Sequence, residues 1–258
     1  MEQLGTERTR GFSSGALRAW GMVFLIMGVI GRSILQNRLL GLGNVTTTEL
    51  LALMDQRPEL MTYATVALLL QALETCALPV FTVLLLDGFL HTSNYRNYLL
   101  RVAGLALVCE IPFDLAMSGK VLDLSVQNPV LGMALGLVLL YFYRRYDERS
   151  GRNILIKLLV AVAAILWAEM LRIEQGAAVV LVLCVLWIFR RKLLLRNIAG
   201  ASAVVLCTLI SPFYMAAPMA FLLVHFHNGE RGAENKVVNY AIYPAALLII
   251  GLVAKFAF

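Results

Sequence analysis

Roughly eight or nine stretches of this chain are apolar and long enough to enter a bilayer, and most cationic residues lie between alternate pairs of them. Of the 258 residues, 60% are hydrophobic and 15% are charged, whereas soluble domains are nearer half apolar and a quarter charged. At about 20 residues for each transmembrane helix, the spans and their short loops occupy the whole chain. The sequence therefore predicts an all-α integral membrane protein, a polytopic helical bundle forming a single domain over 1–258.

The spans are predicted from nine apolar segments. They cover 17–36, 62–90, 98–117, 128–143, 155–171, 176–189, 197–211, 214–226 and 238–257. Pro79 interrupts the second, which is predicted to be either a tilted or kinked helix or a surface helix followed by a short span. The eighth, bounded by Pro212 and broken by Pro218, is predicted either to span or to re-enter the membrane. A polar N-terminal tail without a cleavable signal is predicted at 1–16, and an outer loop with a short amphipathic helix at 37–61.

The positions of lysine and arginine predict the orientation. With the N-terminus inside, sixteen of the 22 basic residues fall on the inner side and five on the outer side, and Arg32 lies in or near a span. Because cytoplasmic loops collect basic residues, the N-terminus is predicted to be cytoplasmic. The same bias accounts for the net charge of +6, so no nucleic-acid partner is predicted. The cysteines lack disulfide or metal spacing and are predicted to be buried thiols: Cys76, Cys109, Cys184 and Cys207.

Two polar residues stand near the inner end of the second span. Asp87 and His91 are four residues apart and share a helix face if the helix continues that far. An aspartate beside a histidine can orient the ring and raise its basicity, as a general base requires. The alternative is a helix end, capped by the turn at 91–94.

A second polar group falls in the outer halves of the spans and in the loop after the third. It consists of Arg32, Glu74, Glu110, Asp114, Gln127, Asn128, Glu169 and Arg172. These residues predict either an interior polar cluster or ion pairs near the membrane surface, with Glu169 and Arg172 able to pair along one helix. A transporter that uses the cluster as a polar path is a third-ranked hypothesis, because no inverted repeat is visible.

His225 and His227 are two residues apart and do not share a helix face, so they make a poor metal pair. No third ligand is in view, and no metal site is predicted.

The run from 78 to 113 resembles the central signature of the TraX family. The residues that carry the resemblance are Leu78-Pro79-Val80-Phe81, Asp87-Gly88-Phe89, His91-Thr92, Asn94, Tyr98-Leu99-Leu100-Arg101 and Glu110-Ile111-Pro112-Phe113. Gln127-Asn128, Asn228-Gly229-Glu230-Arg231-Gly232 and Tyr243-Pro244 fit the same pattern, so the similarity runs over nearly the whole chain.

The resemblance implies a multi-pass protein of the bacterial cytoplasmic membrane, related to membrane acyltransferases. The family's named member acetylates the N-terminus of conjugative pilin. Such enzymes take the acyl group from a cytoplasmic acyl-CoA such as acetyl-CoA, so the expected acceptor is a pilin-like protein, a peptide or a glycan. The implied base is His91, with Asp87 as its orienter. The implied donor contacts are Arg96, Arg101, Asn228 and Arg231.

The chain departs from the family pattern at two places. TraX-like chains usually end the first span with an Asp-His pair, where this chain has Gly28-Val29, and they carry a histidine shortly after the Tyr-Pro of the last span, where it has Ala245-Ala246. These side chains cannot move protons. The alternative function is therefore a catalytically inactive relative that binds a partner such as an active TraX paralogue.

Overall fold

The computed structural model describes residues 11–41, 58–230, 232 and 236–256, with the backbone alone described at 58–59 and 236–239. Most of the predicted polar tail lies outside these residues. So do Arg231 and the amphipathic helix expected within the loop at 37–61.

The described chain is helical, and no strand forms in these ranges. The helices are α1 (Ser14–Ile30), continued by a π-helical segment (Gly31–Leu39), α2 (Pro58–Glu74), α3 (Ala77–His91), α4 (Tyr95–Ser118), α5 (Pro129–Arg145), α6 (Gly151–Met170), α7 (Gly176–Ile188), α8 (Leu193–Leu206), α9 (Ala220–His225) and α10 (Lys236–Phe256). Short 3₁₀ turns at Cys207–Leu209, Pro212–Met215 and Ala217–Met219 connect α8 to α9. Each of the nine predicted spans contains helical residues.

Side chains at the helix ends explain several of these boundaries. Ser13 caps α1 by accepting from the Ala16 amide, and Asn94 caps α4 by accepting from the Asn97 amide. Asn128 caps α5, whose first residue is Pro129, a residue whose fixed φ suits the first helical position. Gly119 ends α4 in the left-handed conformation, with φ at 73°.

The long second span consists of two helices, and the break between them lies before Pro79 rather than at it. α2 ends at Glu74, and α3 begins at Ala77 after a turn at Thr75 and Cys76. Pro79 lies in the first turn of α3, where its missing N–H group leaves no helical hydrogen bond unmade.

Three helical segments are long and apolar enough to cross a membrane: Ser14–Leu39, Leu60–His91 and Gly151–Met170. Shorter apolar helices cover Gly176–Ile188, Leu193–Leu209, Pro212–His225 and Tyr240–Phe256. Large apolar side chains also face outwards, with Leu107 76% and Leu209 87% exposed. An apolar exterior of this kind is stable in lipid rather than in water, so these helices indicate a membrane protein.

The interior consists of two apolar clusters. The larger contains the buried faces of α3, α5 and α7, and α7 is buried around most of its circumference. Glycines permit the close approach expected of a small-residue face, since Gly132 lies against the Gly176 backbone and Gly136 against Leu183. The smaller cluster joins α1, α4 and α10 around Phe113.

The eighth predicted span runs alongside α3. At its start, the Phe213 carbonyl accepts from the Thr75 hydroxyl and the Ala216 carbonyl from the Cys76 thiol. At its other end, His227 lies beside Asp87. The segment therefore extends along the whole of α3, although it is built from 3₁₀ turns and the short helix α9.

Candidate functional site

All the predicted inner segments meet at one end of the bundle, which we call the basic end. Its segments are 11–14, 87–96, 144–151, 187–196 and 225–230. They are joined by contacts between Phe12 and Asn228, between Phe89 and Arg144, between Asp147 and Arg190, and between Asp87 and Arg196. This gathering is what the alternating distribution of basic residues predicts, because each pair of spans returns the chain to the same side.

Asp87 lies between two buried cationic or basic groups at the basic end. Its Oδ1 is 3.1 Å from Nη1 of Arg196, and its Oδ2 is 3.8 Å from Nε2 of His227. The side chains of Arg196 and His227 are 7% and 6% exposed, whereas that of Asp87 is 25% exposed. We call these three residues the Asp87 site. The ion pair is stronger here than on the protein surface, since little water screens it.

The His227 ring is held in one tautomer by the N-terminal segment. Its Nδ1 lies 2.9 Å from the Phe12 carbonyl oxygen. A carbonyl oxygen only accepts hydrogen bonds, so Nδ1 carries the proton and the lone pair of the neutral ring is on Nε2. Nε2 is the atom that faces the Asp87 carboxylate.

A short backbone pairing holds the Phe12 carbonyl in place. Phe12 donates from its amide to the Phe226 carbonyl at 2.8 Å and accepts from the Asn228 amide at 3.0 Å. The amide of Ser14 donates to the Glu230 carbonyl, which extends the pairing by one more bond. Gly11 is needed here, because a Cβ at that position would overlap the Phe226 carbonyl oxygen.

The expected contact between the Asp87 carboxylate and the His91 ring does not form. His91 is exposed at the end of α3, and its Nδ1 contacts the backbone carbonyl of Asp87 at 2.8 Å, while the carboxylate is directed towards Arg196 and His227. The shared helix face was predicted correctly. The wrong part of the prediction was the orienting carboxylate, because a buried arginine from another helix attracts it more strongly.

The residues expected to hold a donor lie around the same end. Arg96 and Arg101 are exposed on α4, and Arg101 donates from Nε to the Asn97 carbonyl at 3.0 Å. Asn228 is half-buried, and its Oδ1 accepts from the Glu230 amide at 2.9 Å. Arg231 lies outside the described residues. None of the described three contacts the Asp87 site directly.

Two members of the predicted outer cluster do meet deep in the bundle. The Arg32 guanidinium donates from Nη2 to Oε2 of Glu74 at 2.6 Å and from Nη1 to Oε1 of Glu174. Glu174, which sequence reasoning missed, lies in the turn between α6 and α7. Gly28 makes room for this arrangement, because a Cβ there would overlap the Glu74 side chain.

The other members form separate contacts. Asn128 is fully buried and donates to the Glu110 carboxylate and, at 2.9 Å, to the Ala106 carbonyl. Asp114 accepts from the Asp123 amide at 2.8 Å. Gln127 pairs through its backbone with Arg172 and Glu174. The predicted residues are therefore distributed among several small groups of contacts.

Glu169 and Arg172 were expected to pair along a helix, and this prediction is wrong. Both are exposed, and no ion pair joins them in the described part of the chain. The reason is that α6 ends at Met170, so Arg172 lies in the following turn with a left-handed φ of 52°. Its side chain therefore does not follow the helical spacing.

The sequence offered only weak signals for three residues that it did not single out as site residues: Arg196, His227 and Glu174. Arg196 follows three leucines at the start of α8, and an arginine at an apolar position implies a buried partner. His227 was considered only as a metal ligand. Its real neighbour, Asp87, is 140 positions away, a separation that helical spacing cannot bridge.

The sequence model of a protein family described as TraX protein matches residues 47–254 of this chain. The chain belongs to the TraX family. The match includes the signature at 78–113, so the resemblance seen in the sequence is confirmed. No curated protein and no solved structure matches the chain at a significant level.

The TraX match includes the Asp87 site in full, together with Glu74 and Glu174. It begins after α1, so Gly28, Arg32 and the Phe12 carbonyl lie outside it. Both polar sites of this TraX protein therefore combine matched residues with a contribution from the chain that precedes the match.

Proposed function

We propose that this TraX protein is a membrane acyltransferase that moves an acetyl or short acyl group from acyl-CoA to an amine or hydroxyl acceptor at the basic end. The observation that carries the proposal is the Asp87 site, where a buried histidine of defined tautomer faces a carboxylate. A base held in this way is what acyl transfer to a protonated nucleophile requires.

In this proposal His227 replaces His91 as the base. The acceptor nitrogen or oxygen attacks the thioester carbonyl while its proton passes to Nε2 of His227. The new carbon–nitrogen or carbon–oxygen bond forms, the carbon–sulfur bond breaks, and the leaving thiolate takes up that proton from the imidazolium, which restores the neutral base. Asp87 stabilises the imidazolium, and Arg196 holds Asp87 at 3.1 Å. His91, exposed one turn further on, is the alternative base.

The exposed arginines of α4 provide the donor contacts in this proposal. Arg96 and Arg101 are exposed near the start of α4, so their guanidinium groups can bind the phosphates of acyl-CoA. In the sequence, Asn228 follows His227 directly and Arg231 comes four positions after it. The donor head group would then bind at the same end of the bundle as the base.

The same proposal places the protein in the bacterial cytoplasmic membrane with the basic end and the N-terminus in the cytoplasm. The concentration of arginine at that end supports this orientation, and acyl-CoA is available on that side. Nine spans are proposed, with the C-terminus outside. The acceptor class remains that implied by the family resemblance, namely a pilin-like protein, a peptide or a glycan.

The first test is calorimetric binding of acetyl-CoA to the purified protein in nanodiscs, with CoA as control, followed by acetyl transfer to an N-terminal pilin peptide. We expect saturable binding and transfer by the wild type. His227→Gln should bind the donor but lose about a hundredfold or more of the transfer rate. His225→Gln is the matched control, since His225 is exposed and two residues away. If His227→Gln keeps the full transfer rate and His91→Gln loses it, the base is His91 and the assignment to His227 is wrong.

A second candidate function is that of a catalytically inactive subunit that binds an active TraX paralogue. It is favoured by Gly28, because the Glu74 side chain fills the space where the first span of related chains carries a titratable pair. Absence of acetyl-CoA binding at high donor concentration, together with copurification of a paralogue, would establish this function. Turnover by the protein purified alone would exclude it.

A further inference from the structure

A second buried site lies roughly 20 Å from the Asp87 site along α3, judged from the 13 residues that separate Glu74 from Asp87. It contains Arg32, Glu74 and Glu174, which we call the buried triad. The side chains of Glu74 and Glu174 are 3% and 12% exposed, and that of Arg32 is 26% exposed. The proposed acyl transfer does not use these residues.

The buried triad has more negative than positive charge. One guanidinium bonds two carboxylates, and no other cationic group in the described ranges forms an ion pair with either of them. Fully ionised, the triad would have a net charge of −1. An uncompensated charge inside a membrane protein is costly, and a carboxyl group in such a place takes up a proton instead.

Several polar atoms around the triad lack hydrogen-bond partners in the described chain. Oε2 of Glu174 and Nε of Arg32 are buried without one. Tyr214 and Tyr243 are 5% and 3% exposed, and both interact electrostatically with all three residues of the triad. Two buried phenols thus lie near the triad, and a hydroxyl group can both donate and accept a hydrogen bond.

We propose that the buried triad is a proton-binding site, in which one exchangeable proton is shared by Glu74 and Glu174. With the proton on Oε2 of Glu174, the triad is neutral and the unpartnered oxygen becomes a hydrogen-bond donor. Two thiols also lie in this region, since Cys207 interacts electrostatically with Tyr214 and Cys109 with Tyr243. A proton requires no ligands beyond the two carboxylates that the Arg32 guanidinium joins among the described residues.

Gly28 and Arg32 connect the proposed proton site to the first helix. Gly28 lets Glu74 approach α1, and Arg32 lies one turn further along the same helix. The segment that leads into α1 supplies the Phe12 carbonyl to the Asp87 site, so α1 connects the proton site to the proposed catalytic site. Removal of the proton would leave a charge that pulls on α1 through Arg32.

Infrared spectroscopy of the protein in nanodiscs tests the proposal. A protonated carboxyl group has a carbonyl stretch above the amide bands, and the wild type is expected to show it at neutral pH. Glu74→Gln and Glu174→Gln should each remove this band, because either change leaves one carboxylate for one guanidinium. Arg32→Gln should strengthen it, because two carboxyl groups must then bind protons.

Glu169→Gln is the matched control, since Glu169 is exposed on α6 and contacts no part of the triad. Glu110 contributes equally to every spectrum, so the comparison uses differences between variant and wild type. If the band is unchanged in both Glu74→Gln and Glu174→Gln, the proposal is overturned. If one of the two glutamine variants fails to fold, the band in the other variant and in Arg32→Gln still tests the proposal.

Discussion

Gly28 lies so close to Glu74 that a methyl group at position 28 would overlap the carboxylate. The absence of a side chain in α1 thus determines where an acidic side chain of α2 is buried. Nη2 of Arg32, one turn along from Gly28, then donates a hydrogen bond to Oε2 of that carboxylate at 2.6 Å. In the sequence, position 28 lacks a titratable side chain. In the fold, the same position provides the space for the titratable side chain of Glu74.

Gly28→Ala should destabilise the protein by about 1–3 kcal/mol, because the added methyl group forces Glu74 away from Arg32. Gly104→Ala is the control, since nothing lies within 4 Å of a Cβ at that position of α4. There the change should be neutral or stabilising by up to about 1 kcal/mol. Thermal unfolding in nanodiscs measures both. Equal stability of the two variants would contradict the close packing at Gly28.

The two partners of the Asp87–Arg196 ion pair should respond unequally to removal. Asp87→Ala leaves a guanidinium that is almost wholly buried without its partner and should cost about 3 kcal/mol. Arg196→Met removes the buried charge and leaves a carboxylate that water can reach, so its cost should be smaller. Chemical unfolding of the two variants decides the order. A larger loss in Arg196→Met would mean that Asp87 is the more deeply buried partner.

Asn128→Ala should cost about 2–4 kcal/mol. The fully buried Asn128 side chain caps α5 and also bonds Glu110 and the Ala106 carbonyl, all of which the substitution removes. Asn94→Ala is the matched control, because Asn94 caps α4 from an exposed position and should cost about 1 kcal/mol. Similar losses for the two, measured by thermal unfolding, would show that the buried bonds of Asn128 add nothing to its capping role.

The loop between α4 and α5 should respond to acid. Hydrogen bonds from Ser125, and further ones from Ser118, lower the pKa of Asp123 from 3.8 to about 2. A carboxyl group with a lowered pKa in the folded state stabilises the loop above pH 3.8 and loses that contribution as the pH falls to about 2. Ser125→Ala should raise the pKa of Asp123 and shift the transition upwards, as followed by carboxyl NMR. An unchanged pKa in Ser125→Ala would assign the effect to other donors.

Hydropathy alone determined the helical class and the positions of the nine apolar segments, because each depends on residues close together in the chain. The spacing of basic residues also predicted which loops would gather at one end. The apolar segments depend on short stretches of sequence, and successive loops alternate between the two sides of the bundle. Neither requires knowledge of the order of the helices in the bundle.

The pairing of the polar residues was decided by the tertiary structure. Asp87 was expected to contact His91 four positions away, yet its carboxylate contacts Arg196 and His227, which are 109 and 140 positions away. Arg32 likewise joins Glu74 to Glu174, which is 142 positions from it. Within a bundle, charges pair across whichever helices become neighbours, and burial makes those few contacts stronger than any exposed pair along a helix. Helix order depends on packing of the apolar faces, which the linear pattern of hydrophobic residues does not specify.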